Sequence, residues 1–174
     1  NAMEINAEID PQTAQMIELN VLRSPGKEEY TRILFFKEKG FSKGLDYKAG
    51  KGTALMPQDL VKLFTGEQPP ATPPVPSPRT SLISIESSYS STLPDAQFRA
   101  PETAPVQLAQ GETLKLRVFI DKSVVEVFVN GKQCVAMRVY PGRDDSMGVS
   151  IMAKGGDASL RSLDAWQMKS IYDN

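Results

Sequence analysis

The chain has 174 residues, a formal net charge of −1, no histidine and a single cysteine. That length suits one domain with its own core, and near-neutrality gives no electrostatic case for nucleic acid or an anionic membrane as partner. The missing histidine excludes Ser-His-Asp and Cys-His catalysis and histidine-based metal sites, and a lone Cys134 excludes an intrachain disulfide.

In chain order, Asn1-Ala2 before Met3 reads as a remnant of an expression scar. Residues 4–9, 16–22 and 30–37 are expected strands, separated by the turn chemistry of Asp10-Pro11 and Ser24-Pro25-Gly26-Lys27. Residues 41–54 suggest a hairpin of short strands around three glycines. Leu60, Val61, Leu63 and Phe64 fall at helical spacing, with Pro57 near the start and Gly66 at the end, which predicts one short helix. The proline run of residues 69–78 cannot donate the hydrogen bonds of a helix or central strand, so an extended surface loop is expected. Residues 56–80 therefore read as an inserted helix and Pro-rich loop within a single domain over 4–174.

A strand is expected over 80–86, then an irregular segment to Gln110 opened by the serine cluster at 87–92, read as a hydrogen-bonded turn. The most informative stretch is 114–140. Leu114, Leu116, Val118 and Ile120 alternate with Lys115, Arg117 and Phe119, the period of a strand with one buried face. Asp121-Lys122 interrupts the pattern, a β-branched run follows, and Asn130-Gly131 marks a second hairpin turn. With two-residue turns at both places, Arg117 faces Glu126 as a cross-strand ion pair and Val127 faces Cys134. Cys134 and Ala136 then join the apolar face, with Cys134 a small buried hydrophobe. Arg117, Phe119, Glu126 and Phe128 share the other face with Val135 and Met137, a mixture too apolar for plain solvent and too charged for a core. Strands over 148–154 and 159–171, joined around Gly155-Gly156-Asp157, complete an all-β antiparallel sandwich.

The run Asp121-Lys-Ser-Val-Val-Glu-Val-Phe-Val-Asn-Gly131 resembles the signature of the C-terminal domain of glycoside hydrolase family 32, the invertase, inulinase and levanase-like β-fructosidases. Arg138-Val-Tyr-Pro141, the glycine-ended strand 148–156 and Ser162-Leu-Asp-Ala-Trp-Gln-Met168 are similar to later motifs of that domain, in the same order. Likeness is tight over 108–172 and looser before. The resemblance implies a two-sheet, jelly-roll-like sandwich attached to a catalytic five-bladed propeller, and a parent reaction that hydrolyses β-D-fructofuranosyl bonds of sucrose or fructans.

Retaining fructosidases cleave with two carboxylates roughly 5–5.5 Å apart. The family carries them on the propeller, in Trp-Met-Asn-Asp-Pro-Asn-like, Arg-Asp-Pro and Glu-Cys motifs. Here Trp166 is followed by Gln-Met, Cys134 is preceded by Gln133, and Arg143-Asp144-Asp145 lacks the proline. No catalytic residue is carried over, no cofactor is implied, and Asp144-Asp145 offers too few oxygen ligands for a calcium site. The expected role is a non-catalytic module docking the propeller through Arg117, Phe119, Glu126 and Phe128, with homodimerisation of the isolated chain through that patch. A fructan- or sucrose-binding module is the alternative, with Trp166 as its stacking aromatic, although core or interface is the simpler reading of Trp166.

Overall fold

The computed structural model describes residues 2–39 and 80–169. The hairpin expected over 41–54, the helix and the proline run lie outside them. Ten strands form among the described residues: β1 (Ala2–Asp10), β2 (Met16–Arg23), β3 (Thr31–Phe36), β4 (Ser81–Glu86), β5 (Glu102–Val106), β6 (Leu114–Asp121), β7 (Val124–Val129), β8 (Gln133–Arg138), β9 (Gly148–Lys154) and β10 (Ser159–Gln167). They build two antiparallel five-stranded sheets, ordered β10-β1-β6-β7-β8 and β5-β4-β3-β2-β9.

Alternation explains which residues meet between the sheets. Ile5, Ala7 and Ile9 of β1 and Leu114, Leu116, Val118 and Ile120 of β6 point inward from the first sheet. Leu19, Val21, Ile33, Phe35, Ile83 and Ile85 meet them from the second. In β2 the ladder to β9 shifts register between Asn20 and Arg23. Leu22 there takes a φ of 47°, so that two neighbours, Val21 and Leu22, are both buried. The β9–β10 turn needs its glycines: Gly155 and Gly156 have φ of 73° and 148°, and a Cβ on Gly156 would run into the Thr13 carbonyl.

The expected strand alternation holds for β6 and β7, but both hairpin registers differ from the sequence reading. Asp121 pairs with Val124, which places the first turn at Lys122-Ser123, so Arg117 lies opposite Phe128 and Phe119 opposite Glu126. The expected Arg117–Glu126 pair therefore does not form. At the second turn Asn130 and Gly131 have φ of 50° and 63°, as a type I′ turn requires, and the Lys132 N–H donates to the Val129 carbonyl at 3.0 Å. Lys132 is nevertheless an extra residue, because Val129 pairs with Gln133 and Val127 with Val135. One residue of slip exchanges the faces of a whole strand. Val135 and Met137 are buried, while Cys134 and Ala136 are exposed on the far side, the reverse of the expected assignment.

A labelling experiment separates the two registers. Burial, then the nearby Glu126 charge, pushes the Cys134 thiol above its usual 9.0. A thiol reagent should modify one Cys134 per native chain, slowly at neutral pH and faster toward alkaline pH as thiolate forms. A thiol protected until denaturant is added would restore the inward register.

A further difference is β5, which lies within the stretch read as irregular. It carries Pro105, which an edge strand tolerates because one side of its backbone needs no donor, and β5 is the edge of the second sheet. The serine cluster forms a turn with the Ser90 N–H donating to the Ser87 carbonyl at 2.9 Å. Both serines are buried, and the Thr31 hydroxyl donates to Ser90 Oγ at 2.8 Å.

Candidate functional site

Directly paired strand residues share a face, so the ladders define rows across the outer surface of the first sheet. One row runs Trp166, Glu4, Phe119, Glu126, Ala136, and its neighbour runs Asp164, Asn6, Arg117, Phe128, Cys134. Arg117, Phe119, Glu126 and Phe128 are thus brought together as expected, and Trp166 joins them. Trp166 is not in the core: its side of β10 is open, and it is 49% exposed.

The face is ordered by charge and aromatic geometry. Arg117 Nε donates to Glu4 Oε1 at 2.7 Å, which holds the guanidinium 4.7 Å from the Phe119 ring centroid. Phe119 meets Phe128 edge-to-face, with centroids 5.9 Å apart and planes at 84°. Phe128 is 37% exposed. Strand β10 is an edge strand exposed along nearly its whole length, with Trp166 open to solvent on this face, while Leu160 and Leu163, paired with Ile9 and Ala7, are open on the opposite one. Apolar and aromatic groups presented together on a rigid sheet are the composition of a protein interface core.

Elsewhere two buried carboxylates are fully engaged. Glu29, fully buried, accepts hydrogen bonds from the Thr92 N–H and hydroxyl at 2.8 and 3.2 Å, the Gly142 and Arg143 N–H groups at 2.9 Å each, and the Ser146 hydroxyl at 2.6 Å. Burial raises its pKa, but Ser146 and the three backbone donors outweigh that and hold it below the usual 4.5. No local sequence signal marks Glu29, because these donors lie 63 to 117 residues away in the chain. Glu18, also buried, meets Lys154 at 2.7 Å and Arg32 at 3.1 Å. Its pKa too is lowered, burial being outweighed by those two cations. Both buried carboxylates are held ionised, the opposite of what a general acid needs.

Two concavities among the described residues hold no pair of acids. An apolar cleft of about 240 Å³ is lined by Met3, Leu22, Ile120, Ser146, Met147 and Gln167, none of them acidic. A polar hollow of about 520 Å³ beside Asn130 has one acid in its lining, Glu112. The Ala109 N–H, Lys132 and Asn130 pull that carboxyl down to about 2. Asp145 is clamped by Arg143 through two hydrogen bonds, at 2.7 and 2.6 Å. Among the described residues no group of three or more Cys, Asp or Glu is placed to hold a metal.

Fold and surface together define a two-sheet antiparallel sandwich with an aromatic, ion-paired outer face. The sequence matches the family profile described as Glycosyl hydrolases family 32 C terminal over residues 1–167, and the chain belongs to that family. It is 39% identical to the levanase of Bacillus subtilis (strain 168) over 72 residues, which are 41% of this chain and 10% of that protein. It is 44% identical to the raffinose invertase of Escherichia coli over 64 residues, 36% of this chain and 13% of that protein. Among solved structures, fructan 1-exohydrolase IIa from Cichorium intybus superposes with a TM-score of 0.65 at 16% identity, covering 97% of this chain and 31% of that one. That likeness shows the shared sandwich fold. In each comparison the match spans a tenth to a third of the relative's own length.

Proposed function

We propose that this chain is the non-catalytic C-terminal sandwich module of a β-fructosidase. It packs on and stabilises a catalytic five-bladed propeller through the outer face of the first sheet, around Arg117, Phe119, Glu126 and Phe128. The parent reaction is hydrolysis of β-D-fructofuranosyl bonds in sucrose or fructans. One observation carries this reading: the profile that spans 1–167 is that of the C-terminal part of family 32, and the matched relatives are several-fold longer. The chemistry of the chain supports it, since Glu18 and Glu29 are locked as ionised acceptors rather than poised as an acid/base pair. A fructan-binding role is less favoured, because the one other aromatic in Trp166's row is Phe119, which is separated from it by Glu4 and already covered by Arg117.

The isolated chain, incubated with sucrose, inulin and levan, should release no fructose above the buffer control. Steady fructose release proportional to protein concentration would overturn the non-catalytic assignment.

A further inference from the structure

The two phenylalanines of the outer face are not equivalent. Phe119 has its ring covered by the Arg117 guanidinium at 4.7 Å, and Glu4 fixes that guanidinium at 2.7 Å. Phe128 has no such cover, although Glu126 stands two residues before it on the same strand and the same face. Glu126 is half-buried between Phe119 and Ala136, its neighbours on either side, and it makes no ion pair or hydrogen bond among the described residues. Three other acids of this face are paired: Glu4 with Arg117, Glu8 with Lys115 and Asp10 with Arg161. Among the described residues Asp121 and Asp164 are without an ion pair, and Arg138 at the far edge makes none with Glu126.

A partly desolvated carboxylate with no counter-charge costs free energy, and a cation brought to it recovers that cost. Ring and carboxylate are both present at Phe128 and Glu126, and among the described residues no guanidinium joins them. Resting on the module reading above, we propose that Phe128 and Glu126 form a receptor for one arginine projected from the catalytic part of the parent. The arriving guanidinium lies over the Phe128 ring and bonds Glu126, repeating the arrangement of Arg117 over Phe119 with Glu4. Arginine fits better than lysine because its planar fork stacks on a ring and bonds a carboxylate at once. Asp121 and Asp164 add to the negative field that would steer such a partner.

Calorimetric titration of the chain with the separately produced catalytic part of its parent tests this. Glu126→Gln and Phe128→Ala should each weaken binding by about tenfold or more, and Glu126→Gln should reduce its salt dependence. Asp95→Asn, in the exposed loop between β4 and β5, should leave affinity unchanged. Glu126→Gln removes a charge that costs the isolated chain free energy, so its thermal unfolding midpoint should be no lower than the wild type's, which excludes misfolding as the cause. Wild-type affinity in both Glu126→Gln and Phe128→Ala would overturn the arginine receptor while leaving the module reading intact. A wild-type chain that fails to bind a catalytic part that is itself cooperatively folded by circular dichroism would overturn both.

Discussion

Replacing Glu29 by alanine should cost on the order of 3–5 kcal/mol of folding stability, since each buried donor stripped of its acceptor costs about 1–3 kcal/mol. Its carboxylate ties three loops at one end of the sandwich: Ser24–Tyr30 by its own position, Thr92 in the β4–β5 loop, and Gly142, Arg143 and Ser146 in the β8–β9 loop. For a domain of this size the loss corresponds to roughly 6–20 °C in the melting midpoint. The pH dependence has a definite sign. The folded carboxyl sits below the 4.5 of an ordinary glutamate. Its contribution is therefore complete above about pH 4.5 and is lost as pH falls through the lower folded value. Glu29→Gln, which cannot titrate and offers one acceptor oxygen, should be less stable at pH 7 and less steeply destabilised below pH 4.5. Urea titrations across pH 3–7 check both. Parallel acid limbs for wild type and Glu29→Gln would show that the carboxylate is not linked to folding.

Phe35→Ala should be comparably severe, at roughly 3–5 kcal/mol, because truncating a fully buried phenylalanine removes its transfer free energy and leaves a cavity. Phe35 is 1% exposed on β3, between its partners Ile17 and Ile83. Phe36, the next residue, points to the opposite face and is only partly buried, so Phe36→Ala should cost clearly less. Urea midpoints of the two variants read the alternation directly. Equal losses would mean that β3 does not present Phe35 to the core as described.

Hydrophobic period and turn residues made most strands legible. β1, β2, β3, β4, β6, β7 and β9 lie within two residues of the expected spans, and β10 ends four residues early. The register of β8 was not legible, for a reason that is not local. Asn130 carries the expected turn conformation, yet its N–H donates to the Lys115 carbonyl at 2.9 Å, and its side chain bonds the Thr113 carbonyl and Glu112. These contacts extend the β6–β7 ladder into the turn and leave Lys132 as the added residue, which turns Cys134 outward. The outer-face residues were recovered because β6 and β7 kept their alternation when the turn moved by one position. Their pairings were not, since Glu4 of β1, 113 residues from Arg117, takes the partner that Glu126 was expected to hold. Sequence left core and interface both open for Trp166 for a related reason: an apolar residue on an edge strand reads the same in sequence whether or not anything covers it.

The proposed role is support of a catalytic partner rather than catalysis by this chain. Thermal inactivation of the parent's catalytic part, followed as fructose release from sucrose after heating with and without this chain added in trans, tests it most directly. Added chain should raise the inactivation midpoint by several degrees, with a smaller rise for Glu126→Gln. An inactivation midpoint unchanged by saturating chain would contradict it.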